Sequence, residues 1–187
     1  FKFSVFGGYF IAAGAKVDAV EEDGCTPLHL ALHAGHMEAA KLLVGKGATV
    51  DIMAAVMLHE RERVKEIVKA DARAVNAKDN DCNTPLHLAA AAGNLRTAQL
   101  LVDLGADVDA RNDSYRTPLL CAAENGHRAT VAFLLERGAW LGAAVTSGQY
   151  SHMGTALHQA AREGHLDTAA FLLDRGLDVN ARTEHGA

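Results

Sequence analysis

Apolar residues recur along this chain in a pattern that keeps restarting. After Thr26 come Leu28, Ala31 and Leu32, and past a glycine come Ala40, Leu43 and Val44. Spacings of three and four place each set on one face of a helix, and Gly35 and Gly47 stand where each helix would end. The same order returns after Thr84, Thr117 and Thr155, where TPLHLAAAAGN, TPLLCAAENGH and TALHQAAREGH follow TPLHLALHAGH. The threonines are separated by 58, 33 and 38 residues, and a glycine closes each unit twenty-one residues after its Thr, at Gly47, Gly105, Gly138 and Gly176. The pattern predicts repeated pairs of short helices.

The start of each pair has its own chemistry. Thr is a helix N-cap, Pro is the favoured first helical residue, and the His in fourth place can reach back as a capping-box side chain. Helices this short are marginal alone in water, so the pairs must stack on one another. Between a closing glycine and the next Thr, segments such as GADVDARNDSYRT are rich in Asp, Asn and Gly and predict an extended, turn-forming finger.

A TPLHxA signature at a 33-residue period resembles the ankyrin repeat family. The resemblance covers Lys16 to Ala187 and implies an all-α solenoid of stacked antiparallel helix pairs with β-hairpin fingers. On that pattern the chain divides into a partial N-terminal repeat (1–20), a full repeat (21–50), a shortened repeat without its finger (51–78), a full repeat (79–111), a full repeat with a lengthened finger (112–149), and a C-terminal repeat with the start of another (150–187). Residues 1 to 15 read as the second helix of an incomplete repeat, and both ends look cut. In the shortened repeat VDIMAAVMLHERERVKEIVKA passes straight into a first helix, with Val64, Ile67 and Val68 in the places of Ala40, Leu43 and Val44. There His59 replaces the glycine between the helices, which predicts a strained or differently closed turn, and the missing finger predicts two shorter binding segments or a bend in the stack. The five extra residues within WLGAAVTSGQYSHMG have two open readings: a tolerated insertion, or an arm carrying Trp140 and Tyr150 to a partner.

Composition narrows the rest. With 49% apolar but only 5% aromatic residues, the chain favours closely packed small helices. A net charge of −5 with no clustered Lys and Arg argues against a nucleic-acid surface. Cys25, Cys82 and Cys121 are odd in number with no CxxC pair, which fits a reducing, cytoplasmic setting. The apolar run at residues 1–15 is too short to span a bilayer.

Residues 29 to 36, HLALHAGH, hold three histidines, with His29 and His33 at the i, i+4 spacing of zinc ligands. The repeat accounts for two of them. His29 recurs as His87 and His158 in the capping place, and His36 recurs as Asn94, His127 and His165 after the first-helix glycine. Only His33 varies, so no metal and no cofactor are expected. No GxSxG, GxxxxGK or HExxH motif is present, and no enzyme is expected.

In the ankyrin family partners usually contact finger tips and exposed first-helix residues. By position the resemblance implies contacts at Glu22, Asp23, Cys25 and His33, then at Asn80, Asp81, Asn83 and Ala91. It continues through Asp113, Ser114, Arg116, Glu124 and Asn125 to Ser151, His152, Arg162 and Glu163. Tyr115 and Cys82 replace the finger glycine, and Tyr115 at a tip is a further contact. The surface is acidic over residues 22–81 and mixed in charge beyond, so a partner with a basic patch is expected, although solubilising residues would read the same way. The expectation is a monomeric, non-enzymatic protein-interaction module or scaffold with no nucleic acid and no membrane. The alternative is a structural or regulatory segment of a larger enzyme or effector.

Overall fold

The computed structural model describes residues 16–20, 24–141, 144–145 and 154–177. It divides into two compact units, residues 1–67 and 68–187, with the boundary inside a helix.

In the first unit α1 (Pro27–His33) and α2 (Met37–Gly45) form a helix pair, followed by α3 (Ile52–Met57) and the start of α4 (Arg61–Ala70). Thr26 caps α1 in extended conformation with its hydroxyl on the His29 N–H, as the sequence predicts. Leu28, Ala31 and Leu32 turn inward onto Ala40, Leu43, Ala48 and Ala54, so small residues let the helices approach closely. Only three residues separate Gly47 from Asp51, which already caps α3 by accepting from the Ala54 N–H at 2.9 Å. The chain therefore passes from α2 into α3 over a short connection.

The turn between α3 and α4 closes as the glycine turns do. The His59 N–H reaches the Val56 carbonyl and the Glu60 N–H the Ala55 carbonyl, matching the bonds of Gly35 and His36 to Leu32 and Ala31. His59 meets that geometry at φ 62°, a left-handed conformation that costs a side-chain-bearing residue about 1–2 kcal/mol. The strain expected at this turn is present, and its hydrogen bonding is unchanged.

The second unit takes in the end of α4 and a 3₁₀ turn (Ala72–Asn76) and continues through the pairs α5 (Pro85–Ala91) and α6 (Leu95–Asp103), α7 (Pro118–Glu124) and α8 (Arg128–Glu136), and α9 (Ala156–Arg162) and α10 (Leu166–Asp174). First helices stack in the order α5, α7, α9, and second helices in the order α6, α8, α10. The middle first helix is buried from Leu119 to Ala123, because neighbours cover it on both sides. Among the described residues the only strand pairing is β1 (Ala144–Val145) with β2 (Gly154–Thr155), antiparallel, with Ala144 opposite Thr155. That short ladder lies between α8 and α9, and the segments at residues 79–83 and 112–116 are tight turns.

Side chains join successive repeats in a way the helix pattern does not reveal. Asp18, Asn76 and Asp109 each accept a backbone N–H from 31 residues later, at Thr49, Asp107 and Trp140. In the second unit the histidines after the first-helix glycines complete the stack: a Cβ on Gly93 would lie 2.4 Å from the His127 ring, and one on Gly126 2.5 Å from that of His165. Glycine is needed there for contact as well as for its positive φ.

Candidate interaction surface

Two fingers of the second unit, at residues 79–83 and 112–116, are each built on an Asx turn. The Asp79 carboxylate accepts from the N–H groups of Asp81 and Asn83 at 3.0 and 2.8 Å. One repeat on, the Asn112 side-chain oxygen accepts from those of Ser114 and Arg116 at 3.0 and 2.9 Å. Such side chains hold a turn that the backbone alone would leave mobile. The turn needs a left-handed residue, and Cys82 at φ 59° and Tyr115 at φ 58° supply it where the sequence lacks the usual glycine.

The two fingers are also tied together. The Asp113 N–H donates to the Asp81 carbonyl at 3.0 Å, and the Asn112 side-chain amide donates to Asn83 Oδ1 at 2.7 Å. The Cys82 thiol hydrogen-bonds to the Asp113 carboxylate, which together with burial holds its pKa above the ordinary thiol value. Beneath the tips His87 pins the second finger to the first helix. The Thr84 N–H donates to His87 Nδ1 at 3.1 Å, so the proton sits on Nε2, which donates to the Arg116 carbonyl at 2.8 Å. Burial lowers the His87 pKa and keeps the ring neutral, in agreement with that tautomer.

The predicted contact residues fall into different circumstances. Asn80, Asp81, Asp113 and Tyr115 are exposed at the linked tips. Asn83 and Ser114 are half-buried parts of the turns themselves, and Ala91 is half-buried. Arg116 pairs with Glu124, which also takes Arg162 at 3.2 Å, while Arg162 bonds Glu163 at 2.9 Å. The mixed-charge region is therefore a network of residues bound to one another across α7 and α9. Asn125 is exposed but donates to the Cys121 carbonyl. Trp140 is 59% exposed, with its backbone fixed by Asp109.

In the first unit Cys25 is half-buried and His33 exposed at the end of α1. His29 bonds Thr26 and both oxygens of Asp51, while the His36 ring is exposed and makes no capping bond. Among the described residues no three His, Cys, Asp or Glu side chains gather as a metal site would require. Cys25, Cys82 and Cys121 form no disulfide. Glu22, Asp23, Tyr150, Ser151 and His152 lie outside the described residues, as does the partial repeat over residues 1–15. Sequence reasoning missed Asp79, Asn112 and the rung residues Asp18, Asn76 and Asp109. A Val followed by Asp or Asn eight residues before the motif Thr is the signal that would have found the rungs. No helix among the described residues is long and apolar enough to cross a membrane.

The model of ankyrin repeats in three copies matches residues 52–145 and 112–183, and the single ankyrin repeat model matches residues 23–55. The chain belongs to the ankyrin repeat family, whose repeats are in general protein-interaction modules without catalytic function. It is similar to a Transient receptor potential cation channel subfamily A member 1 homolog of Caenorhabditis elegans, 31% identical over 49% of this chain and 8% of the relative. A putative palmitoyltransferase ZDHHC13 of Danio rerio is 34% identical over 51% of this chain and 16% of its own length. The phosphocholine transferase AnkX of Legionella pneumophila is 29% identical over 54% of this chain and 12% of its own. The chain thus matches less than a fifth of the length of each of these three curated relatives.

Proposed function

We propose that this chain is a non-enzymatic protein-binding module whose partner lies across the finger tips and the exposed first-helix residues. The observation that carries the reading is the pair of linked fingers in residues 68–187. Their tips expose Asn80, Asp81, Asp113 and Tyr115 on turns fixed by Asp79 and Asn112. A turn whose backbone is held in place before binding loses little entropy on contact, and an exposed tyrosine is an effective anchor. Arg116, Arg162 and Glu163 are engaged with Glu124 or with each other, which leaves Asp81 and Asp113 to set the charge a partner meets at the tips. A partner segment carrying Lys or Arg suits them.

A second reading is compatible with the first: the chain is a regulatory or substrate-presenting segment of a larger protein. It is supported by the small share of a channel homolog and of two transferases that the chain matches. The experiment compares the wild-type chain with Asp81→Lys/Asp113→Lys in a pull-down, followed by titration of the captured protein in low and high salt. Binding that is lost in the variant and weakened by salt supports the finger surface. Equal capture by both proteins rejects it. A cytoplasmic site of action and a monomeric state belong to the same proposal.

A further inference from the structure

The second helices of residues 68–187 provide their own control for what a covered face looks like. Within α8, Ala132 and Leu135 are half-buried, Phe133 is 7% exposed, and α10 packs beside them. In α10 the same places hold Ala170, which is exposed, Leu173 at 41%, and Phe171, which is only half-buried. One turn earlier Leu166 is 81% exposed, where α8 has Arg128 lying 5.2 Å from the Phe171 ring of its neighbour. The first helices repeat the contrast, with Ala123 fully buried in α7 and Ala161 exposed in α9. Leu166, Ala170 and Leu173 form one stripe at spacings of four and three, and an outer repeat that ends a stack normally carries polar residues on such a face.

We infer that the outer face of α9 and α10 is an internal face of the solenoid, to be covered by a further helix pair of the same repeat type in the same polypeptide. The face continues the α6, α8, α10 interface with the same residue sizes: an alanine for close approach, a leucine beside it, and an aromatic ring under an arginine, as Arg175 stands 4.6 Å from Phe171 and Arg137 4.9 Å from Phe133. A tethered repeat suits it better than a second molecule. A nine-residue helix is only about 14 Å long, and stable association of separate chains buries about 800 Å² on each. A contact this small holds when covalent linkage has already removed the entropy of bringing the pieces together.

The test compares three proteins: the 187-residue chain, the chain extended after Ala187 by a second copy of residues 155–187, and that extended chain carrying Leu166→Glu and Leu173→Glu in the original α10. Hydrogen exchange of the α10 amides is the readout. The expected result is at least tenfold slower exchange in the extended chain, loss of that gain in the double variant, and a monomeric parent by analytical ultracentrifugation. Unchanged exchange on extension overturns the inference. So does a parent dimer that Leu173→Glu dissociates, because the face would then belong to a second copy. Either failure leaves the finger-binding reading intact, since that rests on Asp81 and Asp113, and a larger protein of a different design would still accommodate it.

Discussion

In residues 68–187 the fourth residue of TPLH, His87, is buried and donates to the carbonyl of Arg116 at the base of the following finger. In residues 1–67 its counterpart His29 is half-buried, and no finger follows. It reaches the Asp51 carboxylate instead, 3.1 Å from both oxygens. Asp51 also caps α3, so one side chain fills the acceptor role that the Arg116 carbonyl has for His87 and starts the next helix. Burial works to raise the Asp51 carboxyl, but the His29 hydrogen bond and charge, with the N–H groups of Ala54 and Met53, outweigh it and leave its pKa below the ordinary value. A neutral, backbone-anchored joint has become a titratable one. In these two repeats the histidine is thus satisfied by an acceptor further along the chain, a carboxylate in one and a backbone carbonyl in the other.

The comparison breaks first at the two histidines. His87→Ala should cost the second unit about 3 kcal/mol, because the Thr84 N–H and the Arg116 carbonyl lose their partner in a buried place. His29→Ala should cost the first unit about 1 kcal/mol, since water can reach the groups left behind. Segment-resolved hydrogen exchange in urea reads each unit separately, and equal losses would contradict the contrast. Turn glycines come next. Gly126→Ala should destabilise by about 2 kcal/mol, from a positive φ and the His165 ring against its Cβ, whereas His59→Gly should stabilise the first unit by about 1 kcal/mol. A destabilised His59→Gly protein would mean that the histidine makes contacts worth more than its strain.

Acidity separates the units more gently. Because burial depresses the His87 pKa, its contribution to stability is complete above the ordinary value of 6.5 and is lost as pH falls below that toward the folded value. Asp51 is depressed as a carboxylate, so its contribution is complete above the ordinary value of 3.8 and is lost only as pH falls through its lower folded value. Between pH 7 and 5 the second unit should therefore weaken relative to a His87→Gln control, while the first shows no loss traceable to an Asp51→Asn comparison. The smallest expected effect is that of Asp81→Lys/Asp113→Lys on stability, within about 0.5 kcal/mol, since these are exposed positions. A larger loss would show that the finger tips hold the fold as well as any partner.

Much of the architecture is legible in residue order. Thr26, Thr84, Thr117 and Thr155 mark helix starts because capping is a local bond, and Leu28, Leu86, Leu119 and Leu157 are buried because their spacing commits them to one helix face. The short connection from α2 to α3 is legible in the early return of an apolar run after Gly47. The site was read less completely. Exposed Asp81, Asp113 and Tyr115 follow from their place in a finger, but Arg116, Glu124 and Arg162 look like three independent contacts in sequence and form one paired network in space.

The sequence by itself determined the helix pairs, their caps and their turns, because each depends on residues within a few positions of one another. Only the tertiary structure decided what each polar side chain answers to. That His29 finds Asp51 while His87 finds a backbone carbonyl, that Asp18, Asn76 and Asp109 bridge 31 residues, and that Leu166 stands uncovered are relations between neighbouring repeats. Such bonds depend on stacking, which brings together groups that the chain keeps far apart.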